Sequence, residues 1–245
     1  MPLLVNIIGA GNLGKTIGHL LVKNQLVSIA GLCNTSKKSV DASIKFIGDG
    51  RYFPSINLLP AADITCITTP DYLIEEACIA LSKNPLLKQG SIVFHCSGSL
   101  TSDILKPVLD KGCYVASVHP MRSFAQPELS VEHYQGTYCA IEGETQAKTI
   151  LSRLFEAIGS TTYEINKEKK SVYHAAGVFA SNYLVTLAQQ SLECLKEAGV
   201  EQETAMHLII NLMQGSVSNL EKTASPAASL TGPIQRGDVS TVKKH

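Results

Sequence analysis

The chain has 245 residues, enough for one large domain or two unequal ones with a sizeable core. Lys+Arg and Asp+Glu balance at 21 each, so the basic field that nucleic-acid binding requires is missing. No apolar run approaches the roughly 20 residues of a membrane span, and the N-terminus lacks the basic start of a signal peptide, which points to the cytoplasm. The 7 cysteines form no C-x-x-C pair and read as small buried hydrophobes in a reducing compartment, with no metal site.

In chain order, "LLVNII" is a strand and "NLGKTIGHLLVKN" a helix with Leu13, Ile17, Leu20 and Leu21 on one stripe. "LVSIAGLCN" is the next strand and "SKKSVDASIKFIG" the next helix. The alternation continues through strand "ADITCITT", helix "DYLIEEACIALSKN", strand "SIVFHCS", helix "LTSDILKPVLDKG" and strand "YVASVHP". Strand "TYCAIEG", helix "ETQAKTILSRLFEAIG" and strand "TTYEI" complete it. Such alternation predicts an α/β fold with a mostly parallel, doubly wound sheet over residues 1–166. From about residue 167 the pattern turns all-helical. One long, mostly buried helix is expected over "KEKKSVYHAAGVFASNYLVTLAQQSLECLKEAG", ended by Gly199, and a second over "EQETAMHLIINLMQGSVSNLEK". "ASPAASLTGPIQRGD" breaks the pattern, and Asp238 caps a final segment too short to be stable alone, which suggests truncation of a longer domain.

"GAGNLGKT" fits two phosphate cradles, G-x-G-x-x-G (Gly9, Gly11, Gly14) and G-x-x-x-x-G-K-T. The second needs its helix to begin near Lys15, whereas Leu13 already lies on the apolar stripe, so the helix begins near Asn12. Gly9 also follows its strand without a spacer, as the dinucleotide turn requires. Gly9, Gly11, Asn12, Leu13 and Gly14 are therefore candidate cofactor residues, and Lys15 and Thr16 exposed bystanders. A NAD site would place a carboxylate about 20 residues on. Asn34, Thr35, Ser36 and Lys37, followed by Lys38, instead suit the 2′-phosphate of NADP, and NAD is less favoured. Mg²⁺-dependent nucleotide hydrolysis is the remaining reading of the loop.

Ligands of such sheets lie beyond the strands' carboxyl ends. There, Thr68, Thr69 and Pro70 flank the cofactor, with Asp71 read as a helix cap. Ser97 and Ser99, around Gly98, can meet the cofactor and a substrate oxygen respectively, while His95 reads as a core histidine. His119, leaving a strand into a proline turn, is a candidate catalytic acid–base and Arg122 an anion clamp. On the next helix, His174, Val178 and Asn182 share one face, which makes His174 and Asn182 further catalytic candidates. Thr231 and Arg236, in the glycine-rich loop "LTGPIQRGD", are candidate substrate ligands.

Together "IGAGNLG", "TTPD", "HCSGSL", "HPMRSF", "HAAGVFASNYLVTL" and "LTGPIQRGD" resemble the Rossmann-like proteins whose C-terminal helical domain is of unknown function. These are related to pyrroline-5-carboxylate reductases and to 6-phosphogluconate and 3-hydroxyacid dehydrogenases. The resemblance implies an N-terminal NADP domain, a helical domain over residues 167–245, and a homodimer formed through those helices. It also implies hydride transfer to a small anionic C=O or C=N substrate held between the domains. The catalytic Lys of the 3-hydroxyacid dehydrogenases is replaced here by Val178, so their acid–base chemistry does not transfer. An NADP-binding sensor without turnover is the alternative.

Overall fold

The computed structural model describes residues 2–244 and divides the chain into two compact units, Met1–Gly177 and Val178–His245. In the first unit, strands β1 (Leu3–Ile8), β2 (Val27–Cys33), β3 (Ile64–Ile67), β4 (Ile92–His95), β5 (Tyr114–Pro120), β6 (Tyr138–Gly143) and β7 (Thr161–Glu164) form one sheet in the order β2-β1-β3-β4-β5-β6-β7. All neighbours run parallel except β5 and β6. The chain leaves β1 toward one edge and returns to its other side with β3, so the topological switch lies between β1 and β3.

Helices α1 (Asn12–Lys23), α2 (Lys37–Ile47), α3 (Ile74–Ser82), α4 (Lys106–Leu109), α5 (Pro127–Glu132) and α6 (Thr145–Ala157) connect the strands. Period-two alternation divides the core between two faces. Ile7, Cys66 and Phe94 pack with Ile17, Leu20, Ile47 and Phe155 on one face, while Ile8, Ile67 and Val93 pack with Ile74, Leu81 and Val108 on the other. Six of the cysteines are buried and Cys194 is exposed; burial pushes the Cys78 and Cys139 thiols up to about 11.

Several expectations are corrected. "LTSDILKPVLDKG" folds as a 3-10 turn over Ser102–Leu105 followed by the four-residue α4, because Pro107 cannot donate within a continuous helix. Thr16 is buried, since its hydroxyl donates to the Asn12 carbonyl at 2.8 Å and so needs no solvent. The single long helix is two: α7 (Lys170–Ala180) and α8 (Asn182–Glu197), interrupted at Ser181 (φ −119°, ψ −68°). No residue of α8 is buried, against the expectation of a mostly buried helix. The face running from His174 through Val178 to Asn182 is therefore broken before its last member.

In the second unit α8 packs on α9 (Gln202–Thr223), followed by the short α10 (Pro226–Ser229), α11 (Gly232–Gln235) and α12 (Val239–Val242). Asp238 caps α12, accepting from the Thr241 N–H at 3.1 Å. Among the described residues no helix is long and apolar enough to cross a membrane.

His95 is the core histidine its strand position suggests. It is fully buried, its Nδ1 accepts the Ser97 N–H at 3.1 Å, and its Nε2–H donates to the Thr101 carbonyl at 3.1 Å. Burial, reinforced by the positive charge of Lys170, pulls its pKa down to about 4. The unfolded chain therefore takes up a proton near pH 6.5 that the folded chain refuses. Stability is retained above pH 6.5 and falls as the pH drops toward 4, by on the order of 1.4 kcal/mol per pH unit from this group. Urea midpoints between pH 7 and pH 5 are expected to show that slope, and His95→Asn to flatten it; equal slopes in both proteins would refute the assignment.

Candidate functional site

The β1–α1 turn sits at the switch point, and its three glycines differ in what surrounds them. Gly9 has φ +85°, and a Cβ there would lie 2.6 Å from the Thr69 backbone nitrogen. At Gly14 a Cβ would fall 2.5 Å from Thr68 Oγ1, so its absence lets α1 rest on the sheet. At Gly11 nothing lies within 4 Å of the Cβ position. That open side adjoins the α1 N-terminus, which has no side-chain cap and no acidic residue in its first turn. An uncapped helix start beside open space suits a phosphate group.

Thr68 shapes this turn, donating from Oγ1 to the Gly9 carbonyl at 2.8 Å. The Asn12 side chain is committed to the loop after β5 through the Ala125 carbonyl at 2.9 Å, and its backbone N–H has no acceptor among the described residues. Leu13 packs against the core. Beside the turn lies a recess of about 350 Å³ lined by Gly9, Asn34, Thr35, Ser55, Thr69 and Glu76, a size that suits part of a small molecule. The Thr69 hydroxyl is buried there without a hydrogen-bond partner. Asn34 donates to Ser39 at 2.9 Å, and Ser36 caps α2. Lys37 and Lys38 open α2 exposed, with no carboxylate in its first turn and no ion pair among the described residues. Open space at Gly11, the orphaned Thr69 hydroxyl and the carboxylate-free start of α2 together fit the phosphates of a dinucleotide.

The second cluster is built on the β4 turn. Asp71 is not a helix cap: it accepts the hydroxyls of Ser97 at 2.7 Å and Ser99 at 3.0 Å. Ser97 Oγ in turn accepts the N–H groups of Ser99 at 3.2 Å and Leu100 at 3.0 Å. Pro70, exposed, aims Asp71 at the turn. From the end of β5, His119 donates through Nδ1–H to the Cys96 carbonyl at 3.2 Å; a carbonyl can only accept, so Nε2 is left as the free acceptor. Burial holds the His119 pKa below the usual histidine range, with the Cys96 hydrogen bond working against it. His174 on α7 stands at 5.7 Å between ring centroids. A Cβ at Gly98 would lie 2.3 Å from His174 Nδ1 and 2.8 Å from His119 Nε2, so both imidazoles lie against this glycine.

Sequence reasoning missed Lys170 and Glu142. Lys170 sits in the charged run "KEKK", yet it is 1% exposed; its Nζ donates to Ser117 Oγ and to Glu142 Oε1, the latter at 3.1 Å. Glu142 also accepts from the backbone and hydroxyl of Ser102 at 2.8 and 2.7 Å. Its place in the apolar strand run "TYCAIEG" and the i, i+4 spacing of Lys170 and His174 were the available signals. Arg122 is exposed in the loop after β5. Asn182 opens α8, Thr231 precedes α11, and Arg236 ends it; all three are exposed in the second unit, and their assignment rests on sequence pattern.

Two family models cover nearly the whole chain: a Rossmann-like domain matches residues 1–120, and the Domain of unknown function (DUF2520) matches residues 137–245. The chain thus pairs a Rossmann-like domain with a DUF2520 domain. No curated protein matches the sequence. Among solved structures, protein TM1727 from Thermotoga maritima is 28% identical with a TM-score of 0.77, over 98% of this chain and 87% of that one. A pyrroline-5-carboxylate reductase from Coxiella burnetii is 15% identical with a TM-score of 0.71, covering 100% of this chain and 91% of that one. Plasmodium falciparum pyrroline carboxylate reductase, solved with NADP bound, is 15% identical with a TM-score of 0.67, covering 99% and 90%.

The variant Gly98→Ala is expected to displace both imidazoles while leaving the fold intact. His119, moved toward water, should titrate closer to the ordinary histidine range, as followed by NMR of its ring. An unchanged His119 titration in a folded variant would contradict the packing described.

Proposed function

We propose that the protein is an NADP-dependent oxidoreductase acting on a small anionic substrate with a C=O or C=N bond. The observation that carries this reading is the combination at the switch point: open space over Gly11 beside an uncapped α1, with two free lysines where a carboxylate would select NAD. The NADP-bound reductase of the same fold supports it. Gly11, Asn12 and Leu13 hold the pyrophosphate through backbone N–H groups, and Asn34, Thr35, Ser36 and Lys37 receive the ribose phosphate. The bound cofactor supplies the hydride. His119 Nε2, an acceptor in this structure, takes the proton from the reacting oxygen or nitrogen in the oxidation direction, and in the reduction direction delivers a proton it has first taken up from solvent; His174 stands beside it. Arg122 orients the substrate's anionic group, while Ser99, its hydroxyl proton already given to Asp71, can only accept from the substrate.

NADPH fluorescence titration is expected to give a clear preference over NADH. Lys37→Glu should weaken NADPH by about 10- to 100-fold, the worth of a charge-assisted pair, with NADH little affected. Against a panel of 2-oxo acids and cyclic imines, loss of absorbance at 340 nm should reveal turnover, reduced by about 10²- to 10⁴-fold in His119→Asn at unchanged NADPH affinity. NADPH binding with no oxidation across the panel would leave the sensor reading instead; equal affinity for NADH would overturn the NADP assignment.

We further infer a homodimer through the second unit. Val185 and Leu212 are each 70% exposed, and Leu187 on α8 and Leu208 and Ile210 on α9 are exposed as well, more large apolar side chains than a pair of helices ordinarily leaves in water. Light scattering is expected to give twice the 26.3 kDa chain mass, and Leu212→Glu to give the monomer; a monomeric wild type would refute it.

A further inference from the structure

Every backbone N–H from Ser97 to Leu100 has a partner except one. The Ser97 N–H goes to His95 Nδ1, and those of Ser99 and Leu100 go to Ser97 Oγ. The N–H of Gly98, a buried residue, has no acceptor among the described residues. An unpaired buried N–H is costly and rarely retained without use.

The carbonyl of the same peptide group is held from behind. Lys170 Nζ, which can only donate, gives a proton to Ser117 Oγ, so the Ser117 hydroxyl must send its own proton onward. Its acceptor is the Ser97 carbonyl, at a long 3.4 Å. Because the peptide is planar and trans, a Ser97 carbonyl turned toward Ser117 points the Gly98 N–H the opposite way. A cation feeding a hydrogen-bond chain also polarises each later member, so this N–H is a stronger donor than an ordinary amide. His119 Nε2 and His174 Nδ1 lie against the Cα of that same residue.

We propose that the Gly98 N–H is the donor for a negatively charged or developing oxyanion of the substrate, and that Lys170 is a positioning residue acting on it through Ser117 and Ser97. Glu142, the cross-strand neighbour of Ser117, anchors the lysine. The assignment deepens the oxidoreductase reading and rests on it for the identity of the reacting group: the oxygen held by Gly98 is placed beside the imidazole that handles the proton.

Ser97–Gly98 is the chain's one Ser-Gly pair, so cell-free synthesis with [¹³C′]serine and [¹⁵N]glycine isolates its amide as a single NMR signal. The full chain, with and without NADP⁺, is titrated with acetate as an oxyanion probe and with acetamide as its neutral counterpart. Acetate is expected to move the Gly98 proton downfield to saturation, and acetamide to leave it in place. Ser117→Ala, which keeps the Lys170–Glu142 pair, should shift the resting signal upfield and weaken acetate by about 3- to 10-fold, one ordinary hydrogen bond; Ser117→Thr should restore both. A Gly98 signal that ignores acetate in the wild-type chain, or that is the same in Ser117→Ala, overturns the proposal. An acetate response in a chain that binds no NADPH overturns the oxidoreductase reading and leaves this donor standing.

Discussion

The closest constraint in the first unit is the meeting of two turns. β1 and β3 are neighbours with Ile8 opposite Ile67, so the chain segments that follow them must share the same space. They do so only because residue 9 has no side chain, with the Thr69 backbone where a Cβ would stand. Thr68 then closes the arrangement, its hydroxyl on the Gly9 carbonyl and against Gly14. Helix α1 is thereby set directly over the sheet with its free N–H groups at the strand ends. A side chain at either glycine would part the strands or lift the helix, and the phosphate cradle would lose its aim before any contact with a nucleotide was changed.

The neighbouring turn after β4 uses hydrogen bonds where the first uses sterics. Ser97 spends its hydroxyl on three bonds, one given to Asp71 and two taken from backbone N–H groups. His95 and His119 pin the one Cys96–Ser97 peptide group from its two ends, and each imidazole has its tautomer set by the backbone group it meets. His119 is held neutral by burial with its free Nε2 against Gly98. The result is a rigid turn in which one residue, Gly98, offers the surroundings both an unpaired donor and the space that two imidazoles occupy.

Elements with strong local signals were legible in the sequence. The apolar stripe through Leu13, Ile17 and Leu20 locates the start of α1, and that start separates a dinucleotide turn from a nucleotide-hydrolysing loop. Ser36 and the lysines after it mark α2. What was not legible depends on partners distant in sequence. Asp71 has helix-capping surroundings, and only the fold brings Ser97 and Ser99 to its carboxylate. Lys170 lies among lysines that face water, and only the antiparallel pairing of β5 with β6 places Ser117 opposite Glu142 to receive it. The break at Ser181 carries no proline or glycine, so helical periodicity runs through it unchanged.

The Lys170–Glu142 pair is expensive as a means of holding the fold together. Removing two charges from water costs several kcal/mol per ion, and apolar residues of similar volume usually serve stability as well or better. The pair must therefore be judged by what an apolar substitute could not do. Such a substitute would fill the volume and leave Ser117 free to turn its hydroxyl toward any acceptor. With the ammonium in place that hydroxyl has one direction left, and the Ser97–Gly98 peptide inherits it. The charge is buried behind Ser117, and its influence reaches the turn at Gly98 through the orientation of a single peptide plane.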